Sequence, residues 1–426
     1  MIGIGQQTYV PDDNFEQALI NLGYDTVLDD SVTTLSIDTV TYLSVSALNI
    51  SDLTGIEDFT SLSYLECWNN QLTNIDITSN IALVDLRLDY NQLTSLDLSN
   101  NINLEYLDFY DSQLTTIDLS QNTDLIELRC GYNQLTSLDL SQNTNLEFLY
   151  CQNNQLANLD VSNNTNLYTL FCESNLLSNL DVSNNTNLYT LVCGSNLLSN
   201  LDLSNNTDLI YLSCSDNQLT SLDVSNNTDL TELYCWANQL IFLDVSSNNF
   251  LAYLNCEQNQ ITSLDVSNNT DLIFLDCSSG NNISSLDISN NTALITLYCG
   301  YNQLTSLDVS QNTFLTSLWC EDNQLVSLDL RNGNNTNFTD FISTNNPNLF
   351  CVNVDDSIYS TNNWTSIDTW HYFSNNCNPL AIQEHSSKKE LLKITDILGR
   401  KTKGTKNELL FYIYDDGTVE KRIVIE

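Results

Sequence analysis

Leu125-Ile-Glu-Leu128-Arg-Cys130-Gly-Tyr-Asn133-Gln-Leu135-Thr-Ser-Leu138-Asp139-Leu140-Ser-Gln-Asn143-Thr-Asn145 is followed at once by Leu146-Glu-Phe-Leu149-Tyr-Cys151, and the pattern begins again. The unit has 21 residues and reads L-x-x-L-x-C-x-x-N-x-L-x-x-L-D-L/V-x-x-N-x-x. Thirteen units lie between Leu62 and Leu330, starting at Leu62, Leu83, Leu104, Leu125, Leu146, Leu167, Leu188, Leu209, Leu230, Leu251, Leu272, Leu294 and Leu315. One extra residue enters near Gly280-Asn281-Asn282, after which the register resumes.

Each unit repeats itself internally. Leu65-x-Cys67-x-x-Asn70 is echoed by Ile75-x-Ile77-x-x-Asn80. The i, i+2 apolar pair is the strand period, and an Asn then turns the chain. A unit therefore predicts two short strands and two turns, too short for a helix of about ten residues. One such coil cannot bury its own apolar edge, so the coils must stack. Thirteen coils at roughly 4.8 Å predict a rather straight rod about 60 Å long.

These slots match the leucine-rich-repeat signature L-x-x-L-x-L-x-x-N/C-x-L. The sequence resembles the bacterial 21-residue class with two half-repeats per unit. The expected fold is a mostly β repeat solenoid: a leucine-rich-repeat coil with two parallel sheets, a short N-terminal capping helix, a C-terminal cap and a small β tail. The expected segments are 1–61 (helix and degenerate capping turns), 62–330 (repeats), 331–380 (cap) and 381–426 (tail).

Three columns run along the repeats. Asn70, Asn91, Asn133, Asn154, Asn175, Asn196, Asn217, Asn238, Asn259, Asn302 and Asn323 form the first, broken by Ser112. An Asn amide offers donors and an acceptor to the backbone of its turn and of the neighbouring coil. The second column, of Cys, fills an inward slot that Leu88 and Phe109 also occupy. Stacked strands aim these side chains the same way, whereas a disulfide needs them to face each other. They read as buried small hydrophobes.

The third column places one Asp in every unit without a gap, Asp139, Asp160, Asp181, Asp202 and Asp223 among them. Each lies between two inward residues and so points outward. Neighbouring carboxylates repel, so the column needs hydroxyl donors such as Ser137 and Ser141, or cations. A weak calcium ladder is one reading, although a calcium site usually gathers six to eight oxygens.

The chain holds 54 acids and 12 bases, a net charge of -42. Such a chain repels phosphate backbones and anionic lipid, which excludes nucleic acid and acidic membranes as partners. Before residue 388 the only bases are Arg87, Arg129 and Arg331, against 47 acids, a balance of -44. Residues 388–426 carry nine bases and seven acids, a balance of +2, and the shift marks a module boundary. No apolar run reaches about 18 residues, so no membrane span is expected. Met1-Ile-Gly-Ile-Gly-Gln-Gln7 lacks the basic start of a signal peptide. The expectation is either a protein that stays inside or a chain whose leader is gone.

Residues 11–23 predict one helix, started by Asp12 or Asp13 and ended by Gly23, with Phe15, Ala18, Leu19 and Leu22 as its apolar stripe. At the other end Trp364, Trp370, Tyr372 and Phe373 predict an irregular cap with helix near 364–373. Cys351 and Cys377, the two Cys outside the column, are candidates for a disulfide. In the tail, residues 391–400 read as strand and turn, 409–414 as a strand, 415–417 as a turn and 422–425 as a last strand. Lys393-Ile, Asp396, Gly399-Arg400, Tyr412-x-Tyr414, Gly417 and Lys421-x-Ile423 resemble the C-terminal sorting domain of type IX secretion cargo. The resemblance implies export across the outer membrane of Bacteroidetes, to the cell surface or the medium, by that machinery. It covers residues 388–426, a shorter segment than usual.

An enzyme is not expected. The two His, His371 and His385, lie outside the repeats, and no nucleophile motif is present. The positions that flank the Cys slot vary, point outward and hold Trp68, Tyr110, Tyr150, Phe171, Tyr234, Trp236, Tyr298 and Trp319. Acids and two Arg accompany them: Glu66, Arg87, Asp89, Asp108, Arg129, Glu173, Glu257 and Glu321. Such a face suits a protein or glycan ligand, although aromatics are also good strand formers. The expectation is a monomeric binding scaffold without a cofactor, calcium apart. The alternative is an adhesive spacer of low specificity.

Overall fold

The computed structural model describes residues 5–377, 391–403, 409–414 and 418–423. The chain divides into two compact units, Met1–Asn375 and Asn376–Glu426.

In the first unit every coil contributes one three-residue strand to a parallel sheet of 15 strands, each beside the strand of the next coil. Glu127–Arg129 lies between Tyr106–Asp108 and Phe148–Tyr150, with Leu128 opposite Leu107 and Leu149. Thirteen strands belong to the repeats, while Tyr42–Ser44 and Asp340–Ile342 add a degenerate coil at either end. Leu125, Leu128, Cys130, Leu135, Leu138 and Leu140 of one coil are all buried. Burying one Leu favours folding by about 1.5–3 kcal/mol, and here that burial is completed only by adjacent coils.

The opposite side differs from the expected second run of strands. Its sheet has four strands, all toward the C-terminal end: Ser306–Asp308, Ser327–Asp329, Cys351–Asn353 and Tyr372–Ser374. In earlier coils only an Asp223–Asp244 bridge is formed. The Asp carboxylate accepts the N–H of the residue two positions on both where this strand forms and where it does not, as at Asp308 and Asp139.

The Asn column ties coil to coil. Asn154 Nδ2 donates to Cys151 O and Cys130 O, and its Oδ1 accepts from Leu135 N at 3.0 Å. The column regains a member the insertion had hidden, Asn281, and continues to Asn346. Gly280, at φ 82°, absorbs the extra residue. A second buried Asn column spans the other turn, with Asn143 Nδ2 donating to Leu119 O and Asn122 O.

One column was not legible in the sequence. The second residue after the Cys slot is left-handed in every coil, as at Tyr132 (φ 53°), Asn153 (55°) and Ser174 (55°). That conformation costs a non-Gly residue about 1–2 kcal/mol. The Asn clamp follows it in every coil but one, where Asp111 (φ 52°) precedes Ser112.

The N-terminal helix runs Asp13–Leu22, with Gly23 left-handed at its end. Asp12 caps it from Oδ1, while its Oδ2 accepts from Ser51 N, Ser51 Oγ and Asp52 N. At the far end the helix falls at Ser357–Asn363, before the 364–373 stretch expected for it, because Asp356 caps Ile358 and Tyr359 N–H. Trp364 instead packs with Phe338, Phe341 and Phe373 over the open end of the core. The second unit is an antiparallel meander of Leu391–Thr395, Leu409–Tyr414 and Val419–Ile423. The expected turn at 415–417 and the end of the last strand lie outside the described residues.

Candidate functional site

Strand pairing sets the outward residues of the long sheet in columns. The column just before the Cys slot carries Tyr150, Phe171, Tyr234, Tyr298 and Trp319, and the column just after it carries Trp68, Tyr110 and Trp236. Register brings some together. Tyr298 stacks on Trp319 with ring centroids 4.4 Å apart, and Tyr150 meets Phe171 at 5.2 Å. Tyr234 meets Tyr211 at 5.5 Å, and Tyr110 meets Tyr90 and Tyr132. Val192 and Ser213 part Phe171 from Tyr234 in the same column, so the aromatics form clusters rather than one stripe.

A third outward column, at the first strand position, adds Tyr106, Phe148, Tyr211, Tyr253 and Phe274. Phe274 meets Tyr298 edge-on at 5.8 Å, beside the Tyr298–Trp319 stack. The reading from the Cys slot outward missed these residues, although the period-two alternation that placed the others places them too. Trp319 Nε1 donates to Asp340 Oδ2 at 2.5 Å, which fixes the indole.

Near the N-terminal end the same face is hollowed. Trp68, Asn69, Arg87, Asp89, Tyr90, Tyr106, Asp108 and Arg129 line a concavity of about 550 Å³. Arg87 grips Asp85 with Nε (3.0 Å) and Nη2 (2.9 Å), and Arg129 donates from Nε to Glu127 at 2.6 Å. The Tyr106 ring lies beside both guanidiniums, 4.7 Å from Arg87 and 5.7 Å from Arg129, and Arg129 also covers Tyr150 at 5.0 Å.

Burial pushes the Asp108 carboxyl up to about 6; Asp89 and Glu127 add to the rise, and the Tyr110 N–H and Arg129 oppose it. Burial likewise raises Asp89, Glu173, Glu257, Asp276 and Glu321 along this face.

The Asp column behaves in the opposite way. Asp139, Asp160, Asp181, Asp202 and Asp223 are exposed, and each Oδ1 accepts the N–H of the serine two residues on at 2.9–3.0 Å. These serines hold all five carboxyls below the ordinary value. The N–H leads at Asp139 and Asp202, and the hydroxyl leads at Asp160, Asp181 and Asp223. The serine donors therefore outweigh the repulsion along the column. Arg331 meets its last member, Asp329, with Nε and Nη2.

The eleven column Cys are free and buried, and burial raises their thiols. Cys351 and Cys377 are disulfide-bonded. His371 is buried in the cap, its Nε2 3.3 Å from Asp368 Oδ2 and from Asn346 O, away from the aromatic face. His385 lies outside the described residues.

A solved structure of the functional domain of InlJ from Listeria monocytogenes, which includes a cysteine ladder, superposes over 100% of both chains with a TM-score of 0.80 and 30% identity. This chain belongs to the leucine-rich-repeat proteins. An internalin, InlF, from the same organism covers 74% of the repeat protein and 91% of its own chain at TM-score 0.62 and 26% identity. The Leptospira interrogans leucine-rich-repeat protein LIC12759 covers 68% and 80% at TM-score 0.64 and 25% identity. The chain matches no protein-family model and no curated protein sequence. Among the described residues, no helix of this leucine-rich-repeat protein is long and apolar enough to cross a membrane.

Proposed function

We propose that this protein is a secreted or cell-surface scaffold that recognises another protein through the outward face of its long sheet. The observation that carries the reading is the Phe274–Tyr298–Trp319 cluster, in which Tyr298 stacks on Trp319 and Phe274 meets Tyr298 edge-on. Large rings from successive coils stand in fixed register on a rigid ladder, so a partner meets a preformed surface and little ordering remains to offset binding. Trp and Tyr are the residue types that dominate binding hot spots.

The disulfide-bonded state of Cys351 and Cys377 supports an oxidising destination. The tail, by its likeness to type IX sorting domains, supplies the address.

The test is an array of purified extracellular proteins and glycans probed with the full chain. A discrete protein partner is expected, with binding weakened about a hundredfold by Trp319→Ala. Partner binding or cell adhesion untouched by Trp319→Ala and Trp236→Ala would instead make the rod a spacer of low specificity.

A further inference from the structure

We infer that the hollow at Trp68 is a saccharide subsite, taking a neutral sugar ring against the indole and holding its hydroxyls with Arg129, Asp89 and Asp108. This goes beyond the protein-binding reading, which rests on rings of later coils.

Size is the first argument. A concavity of about 550 Å³ falls in the range of small-ligand sites, roughly 300–1,000 Å³. It suits one or two sugar rings better than a protein face.

The second argument is the kind of polar group on offer. Arg129 bonds Glu127 through Nε only, and its Nη1 and Nη2 make no hydrogen bond among the described residues. Asp108 Oδ1 accepts the Tyr110 N–H at 3.0 Å, which leaves Oδ2 as an acceptor. Donor and acceptor thus stand in one hollow. A hydroxyl is both donor and acceptor, so neighbouring hydroxyls on a ring can bridge a guanidinium and a carboxylate together.

Flat apolar surface is the third. Trp68 is 39% exposed and Tyr90 is 49% exposed at the rim. An open indole face takes the C–H face of a sugar ring, apolar on one side and wet on the other.

Charge decides which sugars. Glu66, Asp85, Asp89, Asp108 and Glu127 surround Arg87 and Arg129, five acids to two bases. An acidic sugar, a sulfate or a phosphate meets net negative charge here. A basic peptide side chain meets two guanidiniums that already hold the nearest carboxylates. A neutral ring meets neither penalty. The polar groups are also set in advance, since Asp85 and Tyr106 fix Arg87 while Glu127, Tyr106 and Tyr150 fix Arg129.

The experiment uses the full chain, a broad array of neutral glycans, and titration calorimetry with lactose, cellobiose, mannobiose, N,N′-diacetylchitobiose and any array hit. Sialyllactose is the acidic comparator. At least one neutral saccharide is expected to bind saturably, with a Kd of about 1 mM or below. Trp68→Ala and Arg129→Ala should each weaken it about tenfold or more, the equivalent of about 1.4 kcal/mol, with the melting temperature unchanged. Trp68→Phe should retain most of the binding, Trp319→Ala all of it, and sialyllactose should bind more weakly than lactose. No saturable binding across the neutral array would overturn the assignment, as would equal binding by Trp68→Ala or a preference for the acidic sugar. Protein capture by the Tyr298–Trp319 stack is scored separately with Trp319→Ala, so either site can fail without the other.

Discussion

A single Asn serves three backbone groups in this rod, and the coil that lacks one shows its worth. At Asn91, Oδ1 accepts from Leu72 N and Nδ2 donates to Cys67 O and Leu88 O. The next coil has Ser112, buried, whose hydroxyl makes no hydrogen bond among the described residues. Ser is too short to span the turn and the adjacent coil together. Ser112→Asn should therefore stabilise the rod by about 1–2 kcal/mol, seen as a higher urea midpoint. Asn154→Ala, which leaves Leu135 N unmet, should lower that midpoint by a similar or larger amount. No gain in the first variant would mean that the slot around Phe109 cannot admit the amide. At this scale the sequence was largely readable, because Leu, Cys and Asn recur for reasons of packing and hydrogen bonding. The left-handed column was hidden because Tyr132, Asn153, Ser174 and Ala237 share no side-chain chemistry. The column forms without glycine, and at Asp111 even without an Asn beside it.

At the scale of elements, the repeats closely follow their pattern, whereas the ends do not repeat and had to be read from caps. The Asp12 and Gly23 signals bracketed the first helix correctly. The second helix was misplaced because the aromatic run 364–373 outweighed the quieter Asp356-Ser-Ile-Tyr start. What the sequence could not show is that Asp12 is also a clamp. Burial tends to raise its carboxyl, but the hydrogen bonds from Ser51, Phe15 and Asp52 win and hold it below its ordinary value. Asp12→Ala removes both the helix cap and the tie to the first degenerate coil. A cap alone is worth about 0.5–2 kcal/mol. We expect amide protons of residues 13–22 and 48–53 to exchange much faster in this variant, while those of coils beyond Leu125 keep their protection, as a nearest-neighbour stack requires. Gly55 tests the same junction. At φ 102° its missing Cβ would stand 2.7 Å from Tyr9 O, so Gly55→Ala should loosen the strand Gln7–Tyr9 in the same local way.

Across the whole solenoid the two faces respond to acid in opposite senses. On the sheet face, the Asp108 carboxyl at about 6 holds its proton to higher pH in the folded chain than in the unfolded one, where its ordinary value is 3.8. Between those values the folded state binds the extra proton, so stability rises as pH falls. Asp89, Asp276, Glu173, Glu257 and Glu321 shift the same way. The Asp column from Asp76 to Asp287 is depressed instead. Its contribution is complete above the ordinary Asp range and is lost as pH falls through the lowered folded values. The melting temperature should thus climb from pH 7.5 to about pH 5 and drop again below about pH 3.5. Asp108→Asn should raise stability most at pH 7.5, with the gain shrinking as pH falls below about 6 and vanishing below the ordinary value of 3.8, where the aspartate is neutral in both states. The same balance bears on calcium. Each column carboxylate already has one oxygen committed to the N–H two residues on, a serine's in all but Asp76 and Asp329, and an exposed strip offers few further oxygens toward the six to eight that calcium prefers. Millimolar calcium should therefore raise the melting temperature no further than sodium chloride of equal ionic strength. A calcium-specific rise that disappears in Asp181→Asn/Asp202→Asn would show that neighbouring coils pool their second oxygens around the ion, and the column would then be a binding face in its own right.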